Sequence, residues 1–130
     1  MIARIWRGWA PQERADDYQR HYETEVSEHL RAVTGFLGAQ LLRRDEGGEV
    51  AFTSITWFSD LGAVRGFAGD DYERAVVEPA AQTALTRWDE RVAHHEVTFD
   101  LPRHHSARPA RAPRWSAPTD QSSSSDRRFT

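Results

Sequence analysis

The sequence predicts an α+β protein of the ferredoxin-like type: four antiparallel strands in the order βαββαβ, with the helices on one face of the sheet. Three observations predict it. Over the first hundred residues, strand-like runs alternate with stretches of helical spacing in that order. Glycine or proline punctuates most of the changeovers. The strand at residues 50–58 carries apolar side chains at both parities, Phe52 and Phe58 on one and Ile55 and Trp57 on the other. A strand wetted on one face would show only one such set. A sheet covered on both sides follows, and in a chain of 130 residues the second cover comes most simply from another copy of the chain.

Each element has its own signal. Residues 2–9 are a short run of apolar and arginine residues that suits a first strand, which Ala10-Pro11 ends. From residue 13 to 33 the apolar positions Ala15, Tyr18, Tyr22, Val26, Leu30 and Val33 keep the three-and-four spacing of an amphipathic helix, and Gly35 stops it. Residues 36–44 form a second strand, and Asp45-Glu46-Gly47-Gly48 turns it into the third as a hairpin. Ser59 is the expected N-cap of a second helix with the stripe Leu61, Val64, Phe67 and Ala68, with Asp60 favourable at its positive end and Gly69 at its close. Two further helical pieces are expected at 71–77 and 79–85, divided at Glu78-Pro79. Residues 91–99 form the last strand.

The length suits one domain, residues 1–101, able to bury roughly two-thirds of its unfolded surface. Residues 1–102 hold 11 arginines against 18 acidic side chains, whereas 103–130 hold 6 arginines against 2 aspartates. The stretch 102–130 is rich in Pro, Ser, Ala and Arg, with Trp115 and Phe129 as its large apolar residues, and is expected to be disordered. An arginine arm for an acidic partner, with His104 and His105 as a weak metal contact, is the alternative reading of that tail. Dispersed arginines with a single tryptophan fall short of a nucleic-acid recognition module, so no nucleic-acid partner is expected. The chain has no cysteine, lysine or asparagine, which excludes disulfides, thiolate nucleophiles and lysine Schiff bases. No signal peptide and no membrane span are evident, and a cytoplasmic protein is expected. Phosphate-binding glycine loops and nucleophile elbows are also missing, which disfavours nucleotide-dependent and hydrolytic chemistry.

Histidines carry most of the remaining chemistry, because their pKa near 6.5 suits proton transfer at neutral pH. His94 and His95 are adjacent on a strand and point to opposite faces, so only one serves a given pocket. His21, Glu25 and His29 recur every four residues along the first helix, a spacing that would permit a metal. A solvated flank with His-Glu pairing is the expected explanation, and no metal site is assigned. A small rotation of that helix would instead bring Tyr22 and His29 to the roof of a pocket, where their polar tips could orient a phenol. Arg4 has the parity of Trp6 and Arg7 the opposite one, so one of the two points to a covered face and needs a carboxylate or an anionic ligand. Glu96 is the expected ionic partner, with Arg7 retained as the candidate substrate contact. Trp6, Trp9 and Trp88 are expected as core or interface anchors.

The segments RIWRG (4–8), GFLGAQLLRRDE (35–46), TSITWFSDLGAVRGFAGDDYERAVV (53–77) and HHEV (94–97) resemble the antibiotic biosynthesis monooxygenase-like family over about residues 1–99. The resemblance implies a dimeric α/β barrel. It implies one of two activities: oxygenation of an aromatic phenol or quinone-like molecule without metal, flavin or other cofactor, or oxidative degradation of haem. It places Trp57 as a pocket wall. The HHEV ending matches a family ending whose first position is histidine, which makes His94 the candidate base or hydrogen-bonding group. The asparagine that partners this tryptophan in well-studied members has no counterpart here, and no histidine lies in 60–85, where haem-degrading members place their axial ligand. The expectation is therefore a cofactor-independent monooxygenase, dimeric through its sheet face, with a small aromatic ligand in a pocket inside each protomer. A non-catalytic ligand-binding dimer is the alternative, followed by a haem binder.

Overall fold

The computed structural model describes residues 1–103, of which Met1–Phe99 form one compact unit. The tail expected to be disordered, with His104 and His105, lies outside the described residues except for residues 102 and 103. The elements are β1 (Ile2–Pro11), α1 (Gln12–His21), a π-helical turn (Tyr22–Val26), α2 (Ser27–Arg31), β2 (Phe36–Glu46), β3 (Glu49–Phe58), α3 (Leu61–Ala68), α4 (Pro79–Ala84), β4 (Arg87–Trp88) and β5 (Ala93–Glu96). The antiparallel sheet runs β2-β3-β1, with β4 and β5 both on the free edge of β1. This is the ferredoxin-like arrangement, with the helices on one face. Among the described residues, no helix is long and apolar enough to cross a membrane.

The alternation of β3 sets the layers. Val50, Phe52, Ser54, Thr56 and Phe58 are buried beneath the helices, and the residues between them are half-buried on the other face. Through the register Arg4↔Thr56, Trp6↔Ser54 and Gly8↔Phe52, the even positions of β1 share the helix side. The odd ones, Ala3, Ile5, Arg7 and Trp9, share the open side with Trp57, Ile55, Thr53 and Ala51. Gly47 and Gly48 take φ of 57° and 93° between the paired Glu46 and Glu49, the two-residue turn that glycine favours.

The core lies on the helix side in two clusters. Tyr18, Tyr22, Val50, Phe52, Ala81 and Leu85 belong to one, and Leu30, Phe58, Ala63 and Val64 to the other. Tyr18 packs on Phe52 with ring centres 4.8 Å apart. The ring of Trp6 lies over Gly8, where a Cβ would meet it at 2.6 Å, and its indole N–H donates to the Asp89 carbonyl at 2.8 Å.

Four local expectations are corrected. The helix expected over 13–33 is interrupted by the π turn, where the Ser27 N–H reaches the Tyr22 carbonyl five residues back. The Thr24 hydroxyl donates to the Arg20 carbonyl at 2.8 Å, supplying a side-chain partner inside the helix. Residues 71–77 are not helical: the Ala75 N–H donates to Glu90 O and the Val92 N–H to Glu73 O, both at 2.8 Å, which draws this segment out against 90–92. For the same reason the last strand is shorter than the expected run over 91–99: it is β5 alone, Ala93–Glu96, and the two-residue β4 precedes that range. The N-cap of α3 is Asp60, whose carboxylate accepts from the Ala63 N–H at 2.9 Å, while the Ser59 N–H donates to the Gly35 carbonyl at 2.8 Å.

Gly35 sits at φ 92°, and a Cβ there would lie 2.6 Å from Ser59 Oγ and 2.7 Å from Ala63 Cβ. Gly35→Ala is expected to cost about 1–3 kcal/mol of stability, read by urea unfolding, through combined backbone strain and overlap.

Candidate functional site

The inner row of β3 is apolar at both ends and polar in the middle, at Ser54 and Thr56. Ser54 is smaller than the Phe and Val side chains of that row and both residues are polar; above them, between the two core clusters, lies a cavity of about 50 Å³. Its lining includes Arg4 and Trp6 from β1, Tyr18 and His21 from α1, Tyr22 and Val26 from the π turn, His29 from α2, Phe67 from α3, and Val76, Val77 and Glu78 from the following segment. On the same side of the sheet, a more open groove of about 680 Å³ runs between the first helix and β2, lined by Gln19, Ser27, Phe36, Leu41 and Arg43 among others. Tyr22 and Leu30 belong to both spaces. The Tyr22 hydroxyl is held by Ser54 Oγ at 2.7 Å, and burial raises its pKa above the ordinary phenol value.

Arg4 is the buried charge of the site, 4 % exposed. Its guanidinium donates to the Tyr72 carbonyl, to the Arg74 carbonyl at 3.3 Å and to His94 Nε2 at 3.0 Å, and stands 5.5 Å from the centre of the Phe67 ring. No carboxylate pairs with it among the described residues. Burial pushes its pKa down to about 10, so the cation persists at neutral pH without a counter-charge. A guanidinium has only donors, so His94 Nε2 is the acceptor and the neutral ring carries its proton on Nδ1. Desolvation first, and then the neighbouring Arg4 charge, lower the His94 pKa. The His94 ring also stands edge-on to Tyr72 at 5.3 Å.

The structure brings some of the expected site residues together and separates others. Tyr22 and His29 line one cavity, Tyr22 buried and His29 exposed at its mouth with its ring 4.7 Å from that of Phe67. Of the adjacent histidines, His94 shares the helix side with Arg4, whereas His95 pairs with Ala3 on the open side. His94 touches the cavity through Arg4 rather than lining it. Trp57 does not line the cavity: its odd position on β3 turns it to the open face, where it lies beside Gly38. Arg7 is likewise on the open side, exposed, with Asp89 Oδ2 3.1 Å from its Nε. Its ionic partner is Asp89 and not Glu96, because Glu96 faces Ile2 at the far end of β1. His21 is not on a solvated flank, since its ring is buried. Reading the residues in order missed Ser54, Thr56 and the choice of Arg4 over Arg7. The signal was present in two polar residues at successive inward positions of an otherwise apolar row.

Because the His94 pKa is lowered on folding, the unfolded chain takes up that proton first as pH falls below about 6.5. The contribution is present above that pH and is lost toward the folded-state pKa. Urea unfolding from pH 7.5 to 5 is expected to show a shallower acid loss of stability in His94→Gln than in the wild type; equal slopes would contradict this.

The profile of the family described as antibiotic biosynthesis monooxygenase matches residues 1–79, from β1 to the first residue of α4. Comparison with curated proteins gives no match. Among solved structures, the chain is similar to MhuD, a haem degrader from Mycobacterium tuberculosis with two haems bound in its active site. The identity is 20%, with 78% of this chain and 100% of that chain covered and a TM-score of 0.53. It is similar to SnoaB, a cofactor-independent oxygenase from Streptomyces nogalater, at 14% identity over 78% of this chain and 98% of that one, TM-score 0.55. A monooxygenase from the ActVA-Orf6 gene of Streptomyces coelicolor, in complex with nanaomycin D, is 16% identical over 79% and 92%, TM-score 0.56. At these identities the structural likeness speaks for the fold, and the profile match, which spans more than half of the sequence, shows that the chain belongs to the antibiotic biosynthesis monooxygenase family.

Proposed function

We propose that this protein is a cofactor-independent monooxygenase acting on a small aromatic phenol or quinone-like molecule bound between sheet and helices. The observation that carries the reading is Arg4: a buried cation without a carboxylate partner among the described residues, in a cavity shared with the Tyr22 hydroxyl, Ser54 and Thr56. A buried cation attracts an anion, and the chemistry needs one. A phenol that loses its proton becomes electron-rich enough to reduce dioxygen directly; one oxygen atom enters the ring and the other leaves as water, with the substrate supplying the electrons. The protein need only desolvate the phenol, help its proton away and hold the phenolate. Arg4 stabilises the developing oxyanion. His94 holds Arg4 in place through Nε2, and it serves as proton acceptor only when that nitrogen is released. Tyr22 and His29 orient the ring.

Typical ligand sites measure roughly 300–1,000 Å³, well above the closed cavity of about 50 Å³. Exposed His29 and Val76 at its mouth must swing aside for a ring to enter. Tyr22 stands between the cavity and the groove of about 680 Å³, and release of its hydrogen bond to Ser54 would join them. The similar structures of SnoaB, a cofactor-independent oxygenase, and of the ActVA-Orf6 monooxygenase with nanaomycin D bound support an oxygenase that needs no cofactor and takes a small molecule. The test is oxygen uptake with a panel of dihydroxyaromatic substrates, with and without added metal or flavin. Turnover independent of both is expected, with kcat/KM reduced by about 10²–10³-fold in Arg4→Gln, the loss typical of one oxyanion donor. No uptake, together with unchanged thermal stability in every substrate, overturns the reading in favour of a non-catalytic fold; a Soret titration identifies a haem binder.

The open sheet face supports the second part of the proposal, a homodimer. Ile5, Trp9, Ile55 and Trp57 are half-buried there and Leu42 is 47 % exposed, an apolar surface opposite the helices of the kind that a second copy covers. Trp57 and Arg7 then belong to the interface rather than to the pocket. Ile55→Glu is expected to convert a dimer into a monomer by light scattering; a wild-type monomer at high concentration would contradict the proposal.

A further inference from the structure

His21 closes α1, and its side chain is 6 % exposed, yet neither ring nitrogen has a hydrogen-bond partner among the described residues. Two carboxylates flank the ring. Glu25 Oε1, from the π turn, lies 3.5 Å from Nδ1, and Glu78 Oε1, from the residue that caps α4, lies 3.5 Å from Nε2. The three residues each offer a ligand atom, and these atoms all lie within 4.8 Å of one another. Coordination bonds of roughly 2.0–2.2 Å from imidazole nitrogen and carboxylate oxygen to a first-row divalent ion place neighbouring ligand atoms roughly 3–4 Å apart, so small rotations of the two exposed glutamates complete the set.

From this geometry we infer a divalent-cation site formed by one ring nitrogen of His21 and the carboxylates of Glu25 and Glu78. A buried imidazole with both nitrogens unpartnered among the described residues is costly, and a bond to a metal ion held by the two carboxylates gives one of the nitrogens a partner. Two carboxylates balance the charge of the ion, and their exposure, 66 % and 40 % of the side chain, leaves water room to fill the remaining positions. The mixed nitrogen and oxygen donors fit Zn²⁺, Co²⁺ or Mn²⁺ rather than Mg²⁺ or Ca²⁺. His21 and Glu78 also line the cavity that contains Arg4, so the ion would sit at its rim and brace α1 against α4. The site does not depend on the oxygenase reading.

The test uses full-length protein without an affinity tag, titrated with Co²⁺ for its visible absorption and with Zn²⁺ by calorimetry and thermal unfolding. One ion per chain is expected, with a rise in melting temperature and with affinity lowered at least about tenfold in each of Glu25→Gln, Glu78→Gln and His21→Gln. The glutamate variants alter exposed side chains and retain the fold, as circular dichroism would check. His104→Ala/His105→Ala is expected to leave the binding intact. Absence of binding, binding indifferent to the glutamate variants, or binding lost with His104 and His105 would each overturn the inference. In the first of these cases the cluster is an ion-paired histidine alone.

Discussion

Much of this molecule depends on the break in the inner row of β3. Val50, Phe52 and Phe58 give that row the apolar character a helix-covered strand requires, and Ser54 and Thr56 interrupt it. A continuous row would merge the two core clusters and bring the helices down on the sheet along their whole length, with close packing and no cavity. The interruption separates Tyr22 and Phe52 on one side from Leu30, Phe58 and Val64 on the other. Among the residues that roof the gap are Tyr22 and Val26 of the π turn, where the helix departs from α geometry.

β1 translates this break into chemistry. Being paired with β3 on one edge and with both β4 and β5 on the other, it has no freedom of register, since a shift by one residue would exchange its two faces. Its even row therefore sets Arg4 opposite Thr56 and Trp6 opposite Ser54. Arg4 is tolerated in the interior because two backbone carbonyls from the non-helical segment after α3 and the neutral ring of His94 accept its hydrogen bonds. The failure of 71–77 to become a helix thus has a role: helical carbonyls would be engaged along their own axis, whereas Tyr72 and Arg74 turn theirs toward the guanidinium.

Periodicity made most of the fold legible. The strand-like runs, the glycine hairpin and the apolar stripe from Ala15 to Leu30 are local properties, and they survive in the structure because packing agrees with them. The fold was less legible where distant segments compete for the same backbone groups. The pairing of 73–75 with 90–92 removes an expected helix and shortens an expected strand, and no residue type announces it. The site was legible in its parts and not in its assembly. Parity separated His94 from His95 and Arg4 from Arg7, yet choosing between them required knowing which row the helices cover. Trp57 was the most visible side chain in the sequence, and the same parity rule puts it on the opposite face from Arg4.

The π turn at Tyr22–Val26 has a consequence for how this helix could have arisen. A π turn contains one residue more than the α turn it replaces, so the helix before it and the helix after it each keep their own phase. Wound as a regular helix of 3.6 residues per turn with none removed, the same residues would rotate everything beyond the turn by about 100° relative to what precedes it. Either His21 and Tyr18 or Leu30 and His29 would then leave the cavity. The chain thus holds in one continuous rod two faces that the same residues wound as a regular helix would not present together, and the π turn takes up the one-residue difference in length between Pro11 and Gly35.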